Sequence, residues 1–151
     1  MDHEAELGVV IGARVRRASV EEARASIFGC TLVGDITARD LQKKDGQWTR
    51  AKGMDTFCPV GPVVADGLDP WAGVQVETRV NGDLRQSGNT KDFIFPLDVL
   101  IRYISQIMTL EPGDLIATGT PKGVGPVVAG DAIEVSIEAI GQLRNPVADE
   151  T

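Results

Sequence analysis

Glu4 and Glu6 stand two residues apart in a segment, Glu4 to Val15, whose later part runs apolar through Val9-Val10-Ile11 and reads as a β-strand. Residues two apart in a strand share a face, so the two carboxylates would converge there. Like charges held that close repel unless a cation or a proton compensates them. A solvated acidic edge fits the same tripeptide. Asp35 closes a second apolar strand, Cys30 to Ile36, and a third carboxylate at that point would complete an all-oxygen set suited to Mg²⁺, Mn²⁺ or Ca²⁺. The alternative makes Asp35 a cap and Arg39 with Asp40 an ordinary ion pair. Lys52, in Ala51-Lys52-Gly53-Met54-Asp55-Thr56-Phe57, could orient an anionic substrate or stabilise an enolate, or be a solvated loop lysine. Thr118-Gly119-Thr120-Pro121-Lys122-Gly123-Val124-Gly125 is a loop dense in glycine and hydroxyls. It lacks the phosphate-loop spacing and reads as a carboxylate-gripping loop or a plain turn. His3 is the single histidine, and so near the start of the chain it is expected to be solvated.

Many short elements must position these residues. Seventeen Gly and eight Pro, above the usual share of about 12%, are spread along the chain and punctuate it. Ser19 with Glu22 forms a capping box ahead of a helical stripe of Ala23, Ile27 and Phe28. Val74, Val76, Thr78 and Val80 alternate with polar residues up to Asn81-Gly82, a type I′ hairpin signal, and Leu84 opens the returning strand. After Phe95-Pro96, the spacing of Leu97, Leu100, Ile101, Ile104, Ile107 and Met108 predicts an amphipathic helix ending before Pro112-Gly113. Strands follow over 114–118 and 131–140, the second with Ile133, Val135 and Ile137 alternating against polar residues. The order is mainly β or α+β rather than alternating βαβ units.

With 151 residues, 42% hydrophobic and 25% charged, the chain is expected to fold as a single domain over 1–151 without a disulfide scaffold. A net charge of -7 argues against a nucleic-acid backbone as partner. Cys30 and Cys58 lie far apart with no CxxC or histidine partner and are expected to be reduced and structural. No apolar stretch approaches the ~20 residues of a membrane span, and the start of the chain has no signal-peptide pattern, so a cytoplasmic protein without a membrane partner is expected.

In this order, His3-Glu4-Ala5-Glu6-Leu7, Asp35-Ile36-Thr37-Ala38-Arg39-Asp40-Leu41-Gln42, the Lys52 segment, Asn81-Gly82 and the loop from Thr118 to Gly125 resemble the fumarylacetoacetate hydrolase superfamily, from about Glu4 to Val147. The resemblance implies a mixed β-roll of strongly bent sheets with two or so helices, usually dimeric. It implies Glu4, Glu6 and Asp35 as ligands of Mg²⁺ or Mn²⁺, with Ca²⁺ also suited, and Lys52 as the lysine near metal and substrate oxygens. Gln42, Thr56 and Thr120 match substrate-side polar positions. The implied chemistry is a metal-stabilised enolate of a 2-oxo or 1,3-diketo acid. Acylpyruvate hydrolysis, oxaloacetate decarboxylation, and hydration or isomerisation of a dienoate all share that enolate. Members of the superfamily carry an N-terminal portion that, in hydrolytic members, supplies a water-activating histidine and glutamate. Met1 lies three residues before Glu4, so the resemblance leaves this chain without that base and with a first strand expected to fray. A metal-binding but catalytically silent fragment or oligomer-forming subunit is the reading from the other class.

Overall fold

The computed structural model describes residues 1–149. In chain order its elements are β1 (Asp2–His3), β2 (Ala5–Ile11), α1 (Val20–Ala25), β3 (Ile27–Gly34), α2 (Arg39–Asp45), α3 (Thr49–Lys52), β4 (Val60–Ala65), β5 (Gln75–Val80), β6 (Asp83–Asn89), a 3₁₀ turn (Thr90–Asp92), α4 (Leu97–Ile107), β7 (Leu115–Ala117), β8 (Gly125–Pro126), β9 (Ala132–Ile137) and β10 (Gly141–Pro146). Two four-stranded antiparallel sheets, ordered β4-β3-β2-β7 and β10-β9-β5-β6, carry the fold, and β1 pairs with β8.

Alternation decides what each strand buries. In β2 the odd positions Ala5, Leu7, Val9 and Ile11 enter the core, so Glu4 and Glu6 fall on the opposite face. Val76 and Val80 of β5 and Ile133, Val135 and Ile137 of β9 supply the other sheet's share of that core. Leu97 and Ile101 of α4 seal it. α4 is tied to α1 by Arg24, which bonds the buried carboxylate of Asp98 at 2.8 Å. The expected stripe of α4 holds through Leu97, Leu100, Ile101 and Ile104, whereas Ile107 and Met108 at its end are exposed.

The Ser19–Glu22 capping box is present in both directions, Glu22 N–H to Ser19 Oγ and Ser19 N–H to the Glu22 carboxylate. Asn81 and Gly82 take φ of 54° and 88°, as a type I′ turn requires. The first strand is shorter than expected and ends at Ile11, after which Val15 makes only an isolated bridge to Leu110. Its beginning is not frayed: β1 pairs with Gly125 and Pro126, and Asp2 bridges Thr37. Among the described residues there are four α-helices where two or so helices are expected. α2 buries no residue and has no side-chain N-cap, so it leaves neither of the usual sequence signals. The edge strand β4 likewise lacks the alternating burial that marks a strand, and β10 has no fully buried residue. Among the described residues no helix is long and apolar enough to cross a membrane.

Candidate metal and substrate site

β2 carries Glu6 into the site with Glu4 just before its first residue, and its neighbour β3 delivers Asp35 just beyond its last residue. The two strands are registered by Ala5 opposite Gly34 and by the Asp35 N–H, which donates to Glu4 O at 2.8 Å. One carboxylate oxygen from each of Glu4, Glu6 and Asp35 lies within 4.8 Å of the others. Neither glutamate is a solvated edge: Glu4 is 7% and Glu6 3% exposed. Asp35 caps no helix, and its side chain receives Lys52 instead.

Lys52 is the last residue of α3, a helical position rather than an open loop, and its side chain is one-fifth exposed. Its Nζ donates to Glu4 Oε2 at 3.1 Å, to Asp35 Oδ2 and to Thr37 Oγ1 at 3.0 Å. Those carboxylates hold the ammonium above its ordinary pKa, against the desolvation that works the other way. Arg39, at the start of α2, bonds Glu4 Oε1, Asp2 Oδ2 at 2.8 Å and Gln42 Oε1 at 3.1 Å. It makes no pair with Asp40, and its place in the site is one that the sequence reading misses. The signal was its position four residues beyond Asp35.

Glu6 has no cationic partner among the described residues. Burial pushes its carboxyl up to about 7, the Gly119 amide that donates to Oε2 at 2.7 Å pulls it down, and Asp35 and Glu4 add to the rise. Gly119 belongs to the hydroxyl-rich loop, which lies along β2: Thr118 Oγ1 donates to Leu7 O and Thr120 Oγ1 to Ala5 O, both at 2.8 Å. Thr120 also accepts from Gln86 Nε2 at 2.8 Å, so its hydroxyl proton is already committed to Ala5. Gly119, Thr118 and Thr120 also line a cavity of about 580 Å³ whose far wall includes Val76, Phe93, Phe95 and Leu100. None of Glu4, Glu6, Asp35 or Lys52 lines that cavity, because Ala5 and Leu7 turn the other face of β2 toward it.

Gln42 therefore touches the site through Arg39, while Thr56 is exposed, with φ of 68°, and makes no hydrogen bond to the cluster. His3 is not solvated: it is 2% exposed, with Nδ1 2.9 Å from Gln86 Oε1. Both cysteines are free thiols, but only Cys30 is buried. Cys58 is exposed, which corrects the expectation that both are structural. Gln86 itself escapes a sequence reading. The one available signal is its register opposite Thr78, which puts two polar residues on the inward face of a hairpin.

The donor set suits a hard divalent cation on the evidence of its own charges. Asp2, Glu4, Glu6 and Asp35 face only Lys52 and Arg39, which leaves two negative charges uncompensated when all are ionised. Oxygen ligands from three carboxylates are what Mg²⁺, Mn²⁺ or Ca²⁺ takes.

Comparison with known proteins identifies the family. The family model for the C-terminal part of fumarylacetoacetate (FAA) hydrolase matches residues 1–148. An uncharacterised protein of Methanocaldococcus jannaschii is 52% identical over 99% of this chain and 63% of its own length. Oxaloacetate tautomerase of Bacillus subtilis is 48% identical over 97% of this chain and 52% of its own. The crystal structure of 5-carboxymethyl-2-hydroxymuconate delta-isomerase from Mycobacterium smegmatis superposes with a TM-score of 0.96 at 46% identity. It covers 99% of this chain and 59% of that one. The chain thus spans about half to three-fifths of the length of these relatives, and over that span it belongs to the fumarylacetoacetate hydrolase family.

Proposed function

We propose that this chain carries the site of an enzyme that acts on small 2-oxo or 1,3-diketo acids, of oxaloacetate or acylpyruvate type, through their enol or enolate form. Glu4, Glu6 and Asp35 would hold a divalent cation, Mg²⁺ or Mn²⁺. The observation that supports this most is the buried carboxylate triad with Lys52 set against it. A divalent cation bound there would supply Lewis-acid polarisation of the substrate's oxo and carboxylate oxygens.

Lys52 presents a fixed ammonium beside the carboxylates, oriented by three acceptors before any substrate arrives. A positive charge organised in advance in a partly dry site stabilises an oxyanion without reorganising at the moment of reaction. Arg39 holds Glu4 in place, with Gln42 steadying the guanidinium from behind. Thr56, exposed, remains a substrate-side candidate. Thr120 shapes its loop and offers a ligand only a lone pair, since its proton goes to Ala5. A homodimer or higher homo-oligomer belongs to the same reading, and sedimentation should then give twice the 16.1 kDa of one chain or a higher multiple.

The test is a cation-loaded assay of three reactions on one sample: enol–keto interconversion of oxaloacetate, its decarboxylation, and acylpyruvate hydrolysis. At least one should proceed with Mg²⁺ or Mn²⁺ and stop with chelator. Lys52→Met should lower that rate about 10²- to 10³-fold, the usual effect of losing one oxyanion-stabilising group. Tight cation binding with no turnover of any of the three would favour a catalytically silent metal-binding module.

A further inference from the structure

The edge of β2 that bears the two glutamates has no strand beside it. Glu4 turns its carbonyl toward β3, where it accepts from Asp35, so the N–H and C=O of the next residue, Ala5, point away from β3. β7 covers that side only from Gly8 to Val10. Ala5 is completely buried, and its backbone groups need partners.

Side chains supply them. Gln86 Oε1 accepts from Ala5 N at 3.1 Å and Thr120 Oγ1 donates to Ala5 O at 2.8 Å. Gln86 Nε2 closes the ring by donating to Thr120 Oγ1 and to Pro121 O, both at 2.8 Å. The orientation of this carboxamide is fixed by its partners, because the Ala5 amide can only donate and the Pro121 carbonyl can only accept. Oε1 also receives Thr78 Oγ1 at 3.0 Å and His3 Nδ1 at 2.9 Å, so His3 carries a proton on Nδ1. Gln86 is 1% exposed and is the one buried residue of β6.

We propose that Gln86 is a positioning residue: its carboxamide replaces the missing strand beside Ala5 and so sets the directions of Glu4 and Glu6 against the Gly119–Thr120 loop. The flanking position of Ala5 gives it this reach, for a rotation of that peptide moves both carboxylates. Gly119, which bonds Glu6, sits next to Thr120, so the same ring fixes the loop that holds Glu6. The inference rests on the cation-site reading above.

The test compares Gln86→Met, of similar shape but without the hydrogen bonds, with the wild type and with Val135→Ala, a core truncation in β9 that lies opposite Thr78 but gives no hydrogen bond to the ring. Mg²⁺ affinity is read by calorimetry on the folded proteins, and amide exchange at Ala5 by NMR without metal. Gln86→Met should weaken Mg²⁺ binding by about 10- to 100-fold, the usual range for a group supporting metal ligands. It should also speed Ala5 exchange relative to the amides of β9. Val135→Ala should change affinity less than about twofold, within what a stability loss alone would give. Unchanged affinity and unchanged Ala5 protection in folded Gln86→Met would overturn the proposal. If that variant does not fold, Thr120→Val opens the same ring from the other side and should give the same two losses; normal affinity there overturns it equally. Glu6→Gln separates the two readings. If it binds Mg²⁺ as the wild type does, the cation site is wrong, and Ala5 exchange alone then decides for or against Gln86.

Discussion

Glu6 is the residue on which the site's charge balance turns. It is the one member of the triad without a cationic partner among the described residues, and its carboxyl is raised from 4.5 to about 7. A group that binds its proton more tightly folded than unfolded favours the folded state below its unfolded pKa, and that contribution is lost as pH rises through the folded value. The cation-free protein should therefore lose roughly 3 kcal/mol from this group between about pH 4.5 and 7. Thermal melts over that window should show the loss, and Glu6→Gln should flatten it. Protons and cation compete for the same oxygens, so Mg²⁺ affinity should fall as pH drops below 7. The two cysteines separate in the same way. Burial, then Asp69, pushes the Cys30 thiol up to about 11, whereas exposed Cys58 is raised by desolvation and then by Asp35 and Glu6. Iodoacetamide at neutral pH should label Cys58 slowly and spare Cys30 until unfolding, as mass spectrometry would show; fast double labelling would contradict it.

The elements that frame the site are joined by close backbone approaches. Gly123 has φ of 103°, and a Cβ there would meet Arg85 O at 2.2 Å, a backbone atom that cannot swing aside. Gly88 faces the Pro121 ring, whose Cβ would lie 2.4 Å from an added Cβ. These contacts seat the loop from Thr118 to Gly125 on β6, beside Gln86. Gly123→Ala should cost about 1–3 kcal/mol of stability, read from a denaturant titration, and weaken cation binding through the Gly119 end of the loop. Ser19→Ala, which removes the capping box of α1, should cost about 1 kcal/mol and leave cation binding alone. A large effect of Ser19→Ala on affinity would show that the site is not insulated from the helical layer.

At the scale of the whole molecule, a ligand that binds only the folded state stabilises it by mass action, by about 2.7 kcal/mol at a hundredfold excess over Kd. Mg²⁺ or Mn²⁺ should therefore raise the melting midpoint, chelator should reverse it, and Na⁺ at equal ionic strength should not mimic it. Alternation and turn chemistry act between near neighbours, which is why β5, the Asn81-Gly82 turn, β9, the α1 cap and most of α4 were legible from the sequence. The same local rule placed Glu4 and Glu6 on one face, and the order of five motifs carried the family resemblance. Edge strands and a helix with no buried face leave no such periodicity, so β4, β10 and α2 became visible only in three dimensions. Partner choice is also a tertiary matter. One of the two readings paired Arg39 with its neighbour Asp40, yet packing turned it to Glu4 and Asp2. His3 looked solvated near the start of the chain, yet β8 and Gln86 bury it. The sequence alone determined which strands alternate and which residue types could bind a cation. Only the tertiary structure decided that Lys52 meets Glu4 and Asp35, and that Gln86 and Thr120 meet at Ala5, where the edge of β2 lacks a backbone partner and buried polar groups must find one.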